Sequence, residues 1–317
     1  MLVTGATGFV GSVLVPTLAA SGHEIFATGR RNCAPKGASR FFPADLGESE
    51  FGKMLDGVQS VVHLAARAHV MRDTAVDPGA EYTRQNIDIT ARLAIAARRA
   101  GARRFVFSSS VKAVGEFTGL APYSESDHEA PVDSYGKSKL SAERELQSIA
   151  EQYGLDVVVF RPPLMYGPGV RGNLDRLMRM IDLGCPLPLG GVNNRRSLLS
   201  ARNFSSAIET AIDKGQSGFH RYFVSDGPPV STPDLVRKIA LAMGKKQRMV
   251  NFPVPILRTL GILLNMRGEI DRLTGSLVID DSAFRTDFGW TPVQSVEDGI
   301  EEMVRAFRNS PGMPACR

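Results

Sequence analysis

The 317-residue chain is poor in cysteine, histidine and tryptophan, with three, five and one of these residues. Cys33, Cys185 and Cys316 form no C-x-x-C pair and are too few for a disulfide framework. No His, Cys and Asp cluster has the spacing of metal ligands, so we predict no metal site. These absences exclude a disulfide-stabilised secreted domain and a zinc ribbon, and they favour a reducing, cytoplasmic location.

Long apolar runs are also missing. The chain begins Met1-Leu2-Val3 directly before a glycine turn, without the basic segment or cleavage site of a signal peptide. Its longest apolar stretch, residues 256–266, contains Arg258 and falls short of the roughly 20 residues that a membrane span needs. We predict no span. A helix here could lie on a membrane surface, but the pattern favours an amphipathic helix buried in the protein.

Charge and aromatic content argue against a nucleic-acid partner. The 38 Lys and Arg exceed the 33 Asp and Glu by only five, and aromatic residues make up 7% of the chain. The arginines are scattered, and no aromatic stacking platform accompanies them. A small anionic substrate explains the excess of positive charge more simply.

What the sequence does contain is an α/β pattern in its first half. The predicted strands cover residues 2–4, 24–28, 60–64, 104–108 and 156–160, and the predicted helices cover residues 9–20, 81–100 and 134–153. Such alternation is typical of a doubly wound parallel sheet with helices on both faces.

Beyond residue 163 proline, glycine and arginine become more frequent, and helical patterns return at 174–183, 204–214, 233–243 and 296–307. We predict a dinucleotide-binding domain over residues 1–163 and a smaller substrate-binding domain over 164–317. A segment of the second part, roughly 197–224, is expected to return to the first domain.

A glycine-rich turn follows the first predicted strand. Gly5, Gly8 and Gly11 form a G-x-x-G-x-x-G pattern that opens a helix. Glycines let the backbone approach a pyrophosphate, and the helix N-terminus supplies free N–H groups and positive potential. The position between a strand and a helix, at the head of a βαβ series, predicts a dinucleotide site. The residues assigned to it are Gly5, Thr7, Gly8, Phe9, Val10 and Gly11.

The end of the second predicted strand indicates which dinucleotide is bound. NAD-binding folds usually place a carboxylate here to hold the ribose 2′-OH, but this chain has Gly29 followed by Arg30 and Arg31. Guanidinium groups match a phosphate in planar, bidentate geometry. We therefore predict that NADP(H) is favoured over NAD(H).

A tyrosine and a lysine lie four residues apart in Tyr135-Gly136-Lys137-Ser138-Lys139. A helix places Tyr135 and Lys139 on one face, where the ammonium is expected to lower the pKa of the phenol and make it a usable acid/base. Residues 108–110, all serine, end the preceding strand, whose carboxyl end should meet the ligand crevice. One of these hydroxyls can hydrogen-bond the reacting oxygen.

Together these motifs resemble the extended short-chain dehydrogenase/reductases. GATGFVG, HLAA, SSS, YGKSK, RPPLMYGPG and FGWTP stand in that family's order along essentially the whole chain. The resemblance implies a Rossmann-type domain that binds NAD(P), a C-terminal domain that binds a nucleotide sugar, and a homodimer. It implies catalytic roles for Ser110, Tyr135 and Lys139. It also places Asp45 and Leu46 by the adenine and Leu64, Ala65 and Ala66 beside the cofactor.

Residues of the second half are assigned to the substrate by the same resemblance. Arg196, Arg272 and Asn173 match positions that contact the nucleotide diphosphate in related epimerases, with an ordinary surface role as the alternative. His69 could touch the sugar or act as a base, although Tyr135 already fills that role and a lone histidine is commonly structural.

Departures from the family pattern narrow the choice among the reactions that the family catalyses. Sugar-nucleotide 4,6-dehydratases carry Asp-Glu after the catalytic Ser/Thr, whereas this chain has Val111-Lys112. Leu164 replaces the Asn of the R-P-x-N-x-Y-G segment. The arginines at 30 and 31 favour NADPH-dependent 4-keto reduction of a UDP-4-keto-6-deoxy-N-acetylhexosamine in bacterial polysaccharide synthesis. A UDP-N-acetylglucosamine or UDP-glucose 4-epimerase is the alternative, and a non-catalytic NADP-sensing protein is an alternative of another class.

Overall fold

The computed structural model describes residues 1–68, 77–119, 121–263 and 266–309. Nine strands occur in this part of the chain: β1 Leu2–Thr4, β2 Phe26–Gly29, β3 Arg40–Pro43, β4 Ser60–His63, β5 Arg104–Ser108, β6 Asp156–Phe160, β7 Leu164–Tyr166, β8 Leu198–Ser200 and β9 Phe219–Tyr222. Seven form one parallel sheet in the order β3-β2-β1-β4-β5-β6-β9, and β7 and β8 form a small parallel pair.

Helices cover the sheet and build the rest of the molecule. They are α1 Gly11–Ala20, α2 Gly52–Leu55, α3 Pro78–Tyr82, α4 Ile89–Arg99, α5 Ser134–Tyr153, α6 Asn173–Asp182, α7 Ala201–Lys214, α8 Thr232–Ala242, α9 Val254–Leu263, α10 Arg267–Thr274, α11 Ser282–Phe288 and α12 Val296–Asn309. A π-helical turn, Thr83–Asp88, joins α3 to α4.

Buried apolar side chains lie on both faces of the large sheet. On one face Phe105 packs in a cluster with Leu93 of α4 and Leu146 of α5. On the other, Leu14 of α1 and Phe204 of α7 are fully buried in a second cluster. Strands covered on both faces read as continuous apolar runs, as the sequence analysis expected. The fold is therefore a Rossmann-like α/β fold with a parallel central sheet.

The strand order reverses between β1 and β4, and this position determines where a ligand can bind. The connections that leave these two strands run to opposite sides, which opens a crevice beyond their carboxyl ends. The glycine turn after β1, the segment after β4 and the serines after β5 all lie at this edge of the sheet.

Four strands and a helix break escaped the sequence prediction. β7 and β8 are only three residues long and lie in the second half of the chain, where no strand was predicted. β3 is a half-exposed edge strand that ends in proline, so it has no clear alternation of apolar and polar residues. β9 contains His220 and Arg221 within only four residues. The helix predicted over 81–100 is divided by the π-helical turn at Thr83–Asp88.

The apolar segment 256–266 differs from the prediction of a buried helix. Only Leu257 and Gly261 of α9 are buried, and several of its large apolar side chains face solvent. Within the described ranges, no helix has both the length and the apolar character needed to cross a membrane.

Candidate active site

The hydroxyls of Ser110 and Tyr135 are hydrogen-bonded to each other beyond the end of β5. Tyr135 lies in the first turn of α5, which Asp133 caps by accepting a hydrogen bond from the Gly136 N–H at 2.7 Å. A Cβ at Gly136 would lie 2.3 Å from the Lys112 carbonyl oxygen. The glycine therefore lets the start of α5 approach the segment after β5, and this contact brings the two hydroxyls together.

Lys139 lies one helical turn further along α5 and is 2% exposed. Its Nζ donates a hydrogen bond to the Ser108 carbonyl at 2.7 Å and lies 5.9 Å from the centroid of the Tyr135 ring. Burial lowers the pKa of Lys139 to about 7, and the charge of Glu143 opposes this shift. The lysine thus ties α5 to the end of β5 and stands beside the phenol.

The expected lowering of the tyrosine pKa is not found. Burial raises the pKa of Tyr135, the negative charge of Asp133 raises it further, and only the hydrogen bond from Ser110 lowers it. The prediction from the Tyr135–Lys139 spacing was wrong, because burial disfavours the charged phenolate and Ser110, not Lys139, is the group that lowers the pKa of Tyr135.

Lys112 stands where the dehydratases carry a carboxylate. It takes part in the site through ion pairs instead. Its Nζ forms ion pairs with Asp133 at 2.6 Å and with Glu116 at 2.8 Å. Asp133 is the carboxylate that acts on Tyr135, so Lys112 partly neutralises the charge that raises the phenol's pKa. The sequence analysis noted the substitution without anticipating these contacts.

A buried ion pair lies behind the lysine. Glu143 and Arg161 are both fully buried, and the guanidinium donates to both carboxylate oxygens. Arg161 also donates to Glu129 at 2.6 Å, and the Ser109 hydroxyl donates to Glu143. This network joins the serine segment, α5 and β6, and so fixes the backbone that carries Ser110.

A cleft lies at the β1/β4 edge of the sheet. Of the predicted cofactor residues it is lined by Gly5, Thr7, Gly8, Arg30, Arg31, Asp45, Leu46, Leu64, Ala65 and Ala66. Gly29, singled out in the sequence for lacking an acid, lines it too, and sequence reasoning missed Thr28, Ala44, Gln85 and Ile89. The expected cofactor contacts Phe9, Val10, Gly11, Tyr135 and Lys139 are absent from this lining, and a Cβ at Gly11 would lie 2.5 Å from the Gly5 carbonyl oxygen. Gly11 therefore serves close packing inside the turn.

The cleft is suited to a dinucleotide. The glycine turn before α1 lines it through Gly5, Thr7 and Gly8, and backbone N–H groups of such a turn can bind phosphate oxygens. Thr28 lines the cleft, and its buried hydroxyl has no hydrogen-bond partner in the described part of the chain. A Cβ at Gly29 would lie 2.5 Å from the Thr7 hydroxyl oxygen, so an acidic side chain there would require the Thr7 side chain to shift.

A chain of hydrogen bonds behind the cleft orders the segment after β4. The Thr90 hydroxyl donates to the Asn86 carbonyl, so it accepts from Nε2 of His63, and Nδ1 of His63 then accepts from Thr4. Burial lowers the pKa of His63 to about 3, so the ring is neutral. The side-chain amide of Asn86 accepts a hydrogen bond from the Arg67 N–H and donates one to the Arg67 carbonyl oxygen. Its position in the π-helical turn left no signal in the sequence.

Arg196 and Arg272 are brought together although they lie far apart in the chain. One guanidinium nitrogen of Arg196 donates to the carbonyl oxygens of Arg272 and Gly275, at 2.7 and 3.1 Å. Burial and the charge of Arg272 lower the pKa of Arg196 to about 10. The buried Nε of Arg272 has no hydrogen-bond partner among the described residues. Arg196, which bonds neutral carbonyl oxygens, and the neighbouring Arg272 therefore form a pair of cations that can take an anion.

Two other candidates receive less support. Asn173 is exposed in the first turn of α6, and no hydrogen bond between described residues joins it to Arg196 or Tyr135. His69 lies outside the described residues.

Comparison with known proteins now adds the family. The model of the NAD dependent epimerase/dehydratase family matches residues 1–224. The chain belongs to this family. Membership makes it an NAD-dependent enzyme rather than the non-catalytic binding protein considered above.

Two of its relatives are named for sugars carried on diphosphates. A UDP-glucose 4-epimerase of Vibrio cholerae is 38% identical over 311 residues, covering 97% of this chain and 95% of the relative. An Escherichia coli O157:H7 N-acetyl-alpha-D-glucosaminyl-diphospho-ditrans,octacis-undecaprenol 4-epimerase is 28% identical over 81% of this chain and 76% of the relative. The solved structure of MoeE5 with UDP-glucuronic acid and NAD superposes with a TM-score of 0.80 at 27% identity, covering 98% and 99% of the two chains.

Proposed function

We propose that the enzyme is a UDP-sugar 4-epimerase that removes and restores hydrogen at C4 of the sugar. The observation that carries the proposal is the Ser110–Tyr135 hydrogen bond, with Lys139 beside it, at the edge of the sheet where the dinucleotide cleft opens. The V. cholerae relative, similar along almost the whole chain, supports this reaction among those that the family catalyses.

Each side chain of the site has a defined task in this proposal. Tyr135 takes the proton of the C4 hydroxyl and later returns it, and Ser110 hydrogen-bonds the same oxygen. Lys139 holds the end of β5 through the Ser108 carbonyl and keeps a cation near the phenolate. When bound, NAD(P) accepts hydride from C4 and gives it back to the other face of the 4-keto sugar.

Two parts of the cofactor are assigned to different parts of the cleft. The turn at Gly5 and Gly8, before the N-terminus of α1, would hold the pyrophosphate. Arg30 and Arg31 would border the ribose of the adenosine half. Gly29 stands where NAD-binding folds usually carry an acid, and this supports NADP(H) there. The family name and the NAD in the MoeE5 structure support use of NAD(H) as well.

The same arginines favour a second candidate, reduction of a UDP-4-keto-6-deoxy-N-acetylhexosamine. An epimerase regenerates its cofactor in each cycle and gains nothing from selecting the phosphorylated, reduced pool. A reductase consumes NADPH and benefits from such a site. Lys112 supports receipt of the keto sugar from a separate dehydratase, since the acidic pair that eliminates water is missing.

The nucleotide half of the substrate is assigned to Arg196 and Arg272. Among the described residues neither guanidinium forms an ion pair with a carboxylate, and Glu116, whose charge raises the pKa of Arg196, is itself paired with Lys112. This arrangement suits a UDP diphosphate. Asn173 as a further diphosphate contact, the homodimer and the cytoplasmic location rest on the resemblance and on composition alone.

The test is a panel of substrates followed for sugar and cofactor together. We expect interconversion of UDP-glucose or UDP-N-acetylglucosamine with its galacto isomer, without net use of cofactor. Net oxidation of NADPH with the dehydratase product, and no interconversion, would instead establish the reductase. The lipid-linked sugar of the E. coli relative is a third arm.

The residue assignment has its own test in Tyr135→Phe. Loss of the proton-transfer group should lower kcat by about 10²–10⁴-fold with cofactor binding retained. Tyr82→Phe is a matched control, since the two rings lie 6.4 Å apart. A Tyr135→Phe enzyme with normal kcat would remove Tyr135 from the mechanism.

A further inference from the structure

One helix of the second half carries an apolar face that the described residues do not cover. Ile256, Leu260 and Leu263 lie at i, i+4 and i+7 on α9 and are 49, 41 and 75% exposed. Ile262 and Met266, at 60 and 43%, extend the same surface. The opposite side of α9 is buried through Leu257 and Gly261. Single exposed apolar residues need no explanation, but a contiguous stripe indicates a binding surface.

The charge around this stripe is mainly positive. Residues 244–268 include five basic residues and no acidic one, in a chain where 38 basic residues are balanced by 33 acidic ones. The side chains of Arg258 and Arg267 are 53 and 76% exposed, and Asp271 of α10, at 3.8 and 3.6 Å, can balance only one of them. Asp182 pairs with Lys245 at 2.9 Å, whereas Lys246 is exposed and forms no ion pair with a described carboxylate.

We propose that the exposed face of α9 docks on an anionic lipid bilayer. A helix with apolar residues on one face and flanking Lys and Arg lies in the interface plane, with its apolar side in the acyl region and its cations among the headgroups. A second copy of the chain fits less well. A symmetric dimer through α9 would bring the arginines of the two copies together, and like charges oppose such an interface.

Docking in this way places the anion site close to the bilayer. A Cβ on Gly261 would lie 2.8 Å from Cδ1 of Ile270, so α9 and α10 pack in close contact. Arg258 also donates to the Thr274 hydroxyl at 3.5 Å. Arg272 belongs to α10, and its carbonyl binds Arg196. The two arginines of the candidate diphosphate site are therefore one helix away from the lipid surface.

Vesicle sedimentation of the full chain tests the proposal without using activity. Wild-type protein is expected to sediment with phosphatidylcholine vesicles that contain phosphatidylglycerol, and less with phosphatidylcholine alone or at high salt. Leu263→Asp should lower the partition coefficient at least about tenfold. Lys246→Gln, at an exposed lysine, should lower it about fivefold. Val293→Asp, at a 60% exposed valine elsewhere, is the matched control and should bind as wild type does.

Folding of each variant is checked by its thermal melt, since the altered side chains are exposed. Wild-type protein that stays in the supernatant with both vesicle types would overturn the proposal. Equal binding by Leu263→Asp and wild type would do the same. If sedimentation velocity shows that wild type is a dimer, Leu263→Asp a monomer, and neither binds vesicles, the face is an interface between copies.

Discussion

The fully buried Arg161 and the half-buried Arg196 show that the same side chain can serve either the fold or a ligand. Arg161, at the core of the dinucleotide half, is fully buried against the carboxylates of Glu143 and Glu129. Burial opposes its charge, but these bonds outweigh it and raise the pKa of Arg161. Arg196, in the second half, donates to carbonyl oxygens beside a second cation, and its pKa is lowered to about 10. An arginine with its counter-charge built in stabilises the fold, whereas one without it is available to a ligand.

The largest expected effect tests the first side of this comparison. Arg161→Met removes the bidentate partner of the buried Glu143 and leaves it Arg221, at 3.9 Å, as its ion-pair partner among the described residues, which should lower the free energy of unfolding by about 3–5 kcal/mol. Urea denaturation measures it. Lys238→Met is the control, because its ion pair with Glu297 is on the surface and should be worth less than about 1 kcal/mol. Equal losses in both variants would show that burial of the pair does not matter here.

For Arg196 the comparison predicts a loss of UDP binding and little loss of stability. Arg196→Ala should weaken UDP binding by about 1.5–3 kcal/mol for each charge-assisted hydrogen bond lost, roughly ten- to hundredfold in Kd. The free energy of unfolding should change little, because the variant relieves repulsion with Arg272. Calorimetric titration with UDP measures the affinity, and Arg195→Ala, at the exposed neighbour, is the control. Unchanged affinity in Arg196→Ala would return it to a structural role.

The sequence alone predicted the strands and the helix that surround Arg161. It did not predict that Arg161 and Arg196 would have different partners. β5, β6 and α5 have the predicted bounds, because buried strands and a long periodic helix leave strong local patterns. Burial of Arg161 against Glu143 depends on elements 18 residues apart in the chain meeting in space. Arg196 and Arg272 were assigned only by resemblance, and their contact comes from the packing of the second half.

The errors have the same origin. The spacing of Tyr135 and Lys139 identified their helical face, but it could not reveal that burial would raise the pKa of Tyr135. The apolar periodicity of α9 was real, yet periodicity does not tell which face a neighbour covers. The break at Thr83–Asp88 places Asn86 against the Arg67 backbone, a contact that no local pattern encodes.

The exposed arginines at the cleft are a third arrangement. Removing one of them should have a smaller effect on ligand binding than removing Arg196. Arg31 is exposed, and its guanidinium reaches the Thr7 carbonyl at 3.4 Å. Arg31→Ala should weaken NADPH binding by about 1 kcal/mol, roughly fivefold, since solvent screens an exposed charge. NADH binding should be unchanged. Fluorescence titration with both cofactors measures this, with Lys36→Ala as the exposed control. Equal losses for NADPH and NADH would mean that Arg31 does not read the 2′-phosphate.

Lys112 is the intermediate case, a partly buried cation paired with Asp133 and Glu116 beside the reacting group. Lys112→Met removes the positive charge that balances Asp133, and Asp133 raises the pKa of Tyr135. Because Tyr135 acts first as a base in epimerisation and its raised pKa keeps it mostly protonated near neutral pH, kcat/KM follows the small phenolate fraction. A higher phenol pKa lowers that fraction, so kcat/KM should fall by at most about tenfold. Lys112→Arg keeps the charge and should restore the wild-type kcat/KM. A Lys112→Arg enzyme as slow as Lys112→Met would show that Lys112 supports only the local fold.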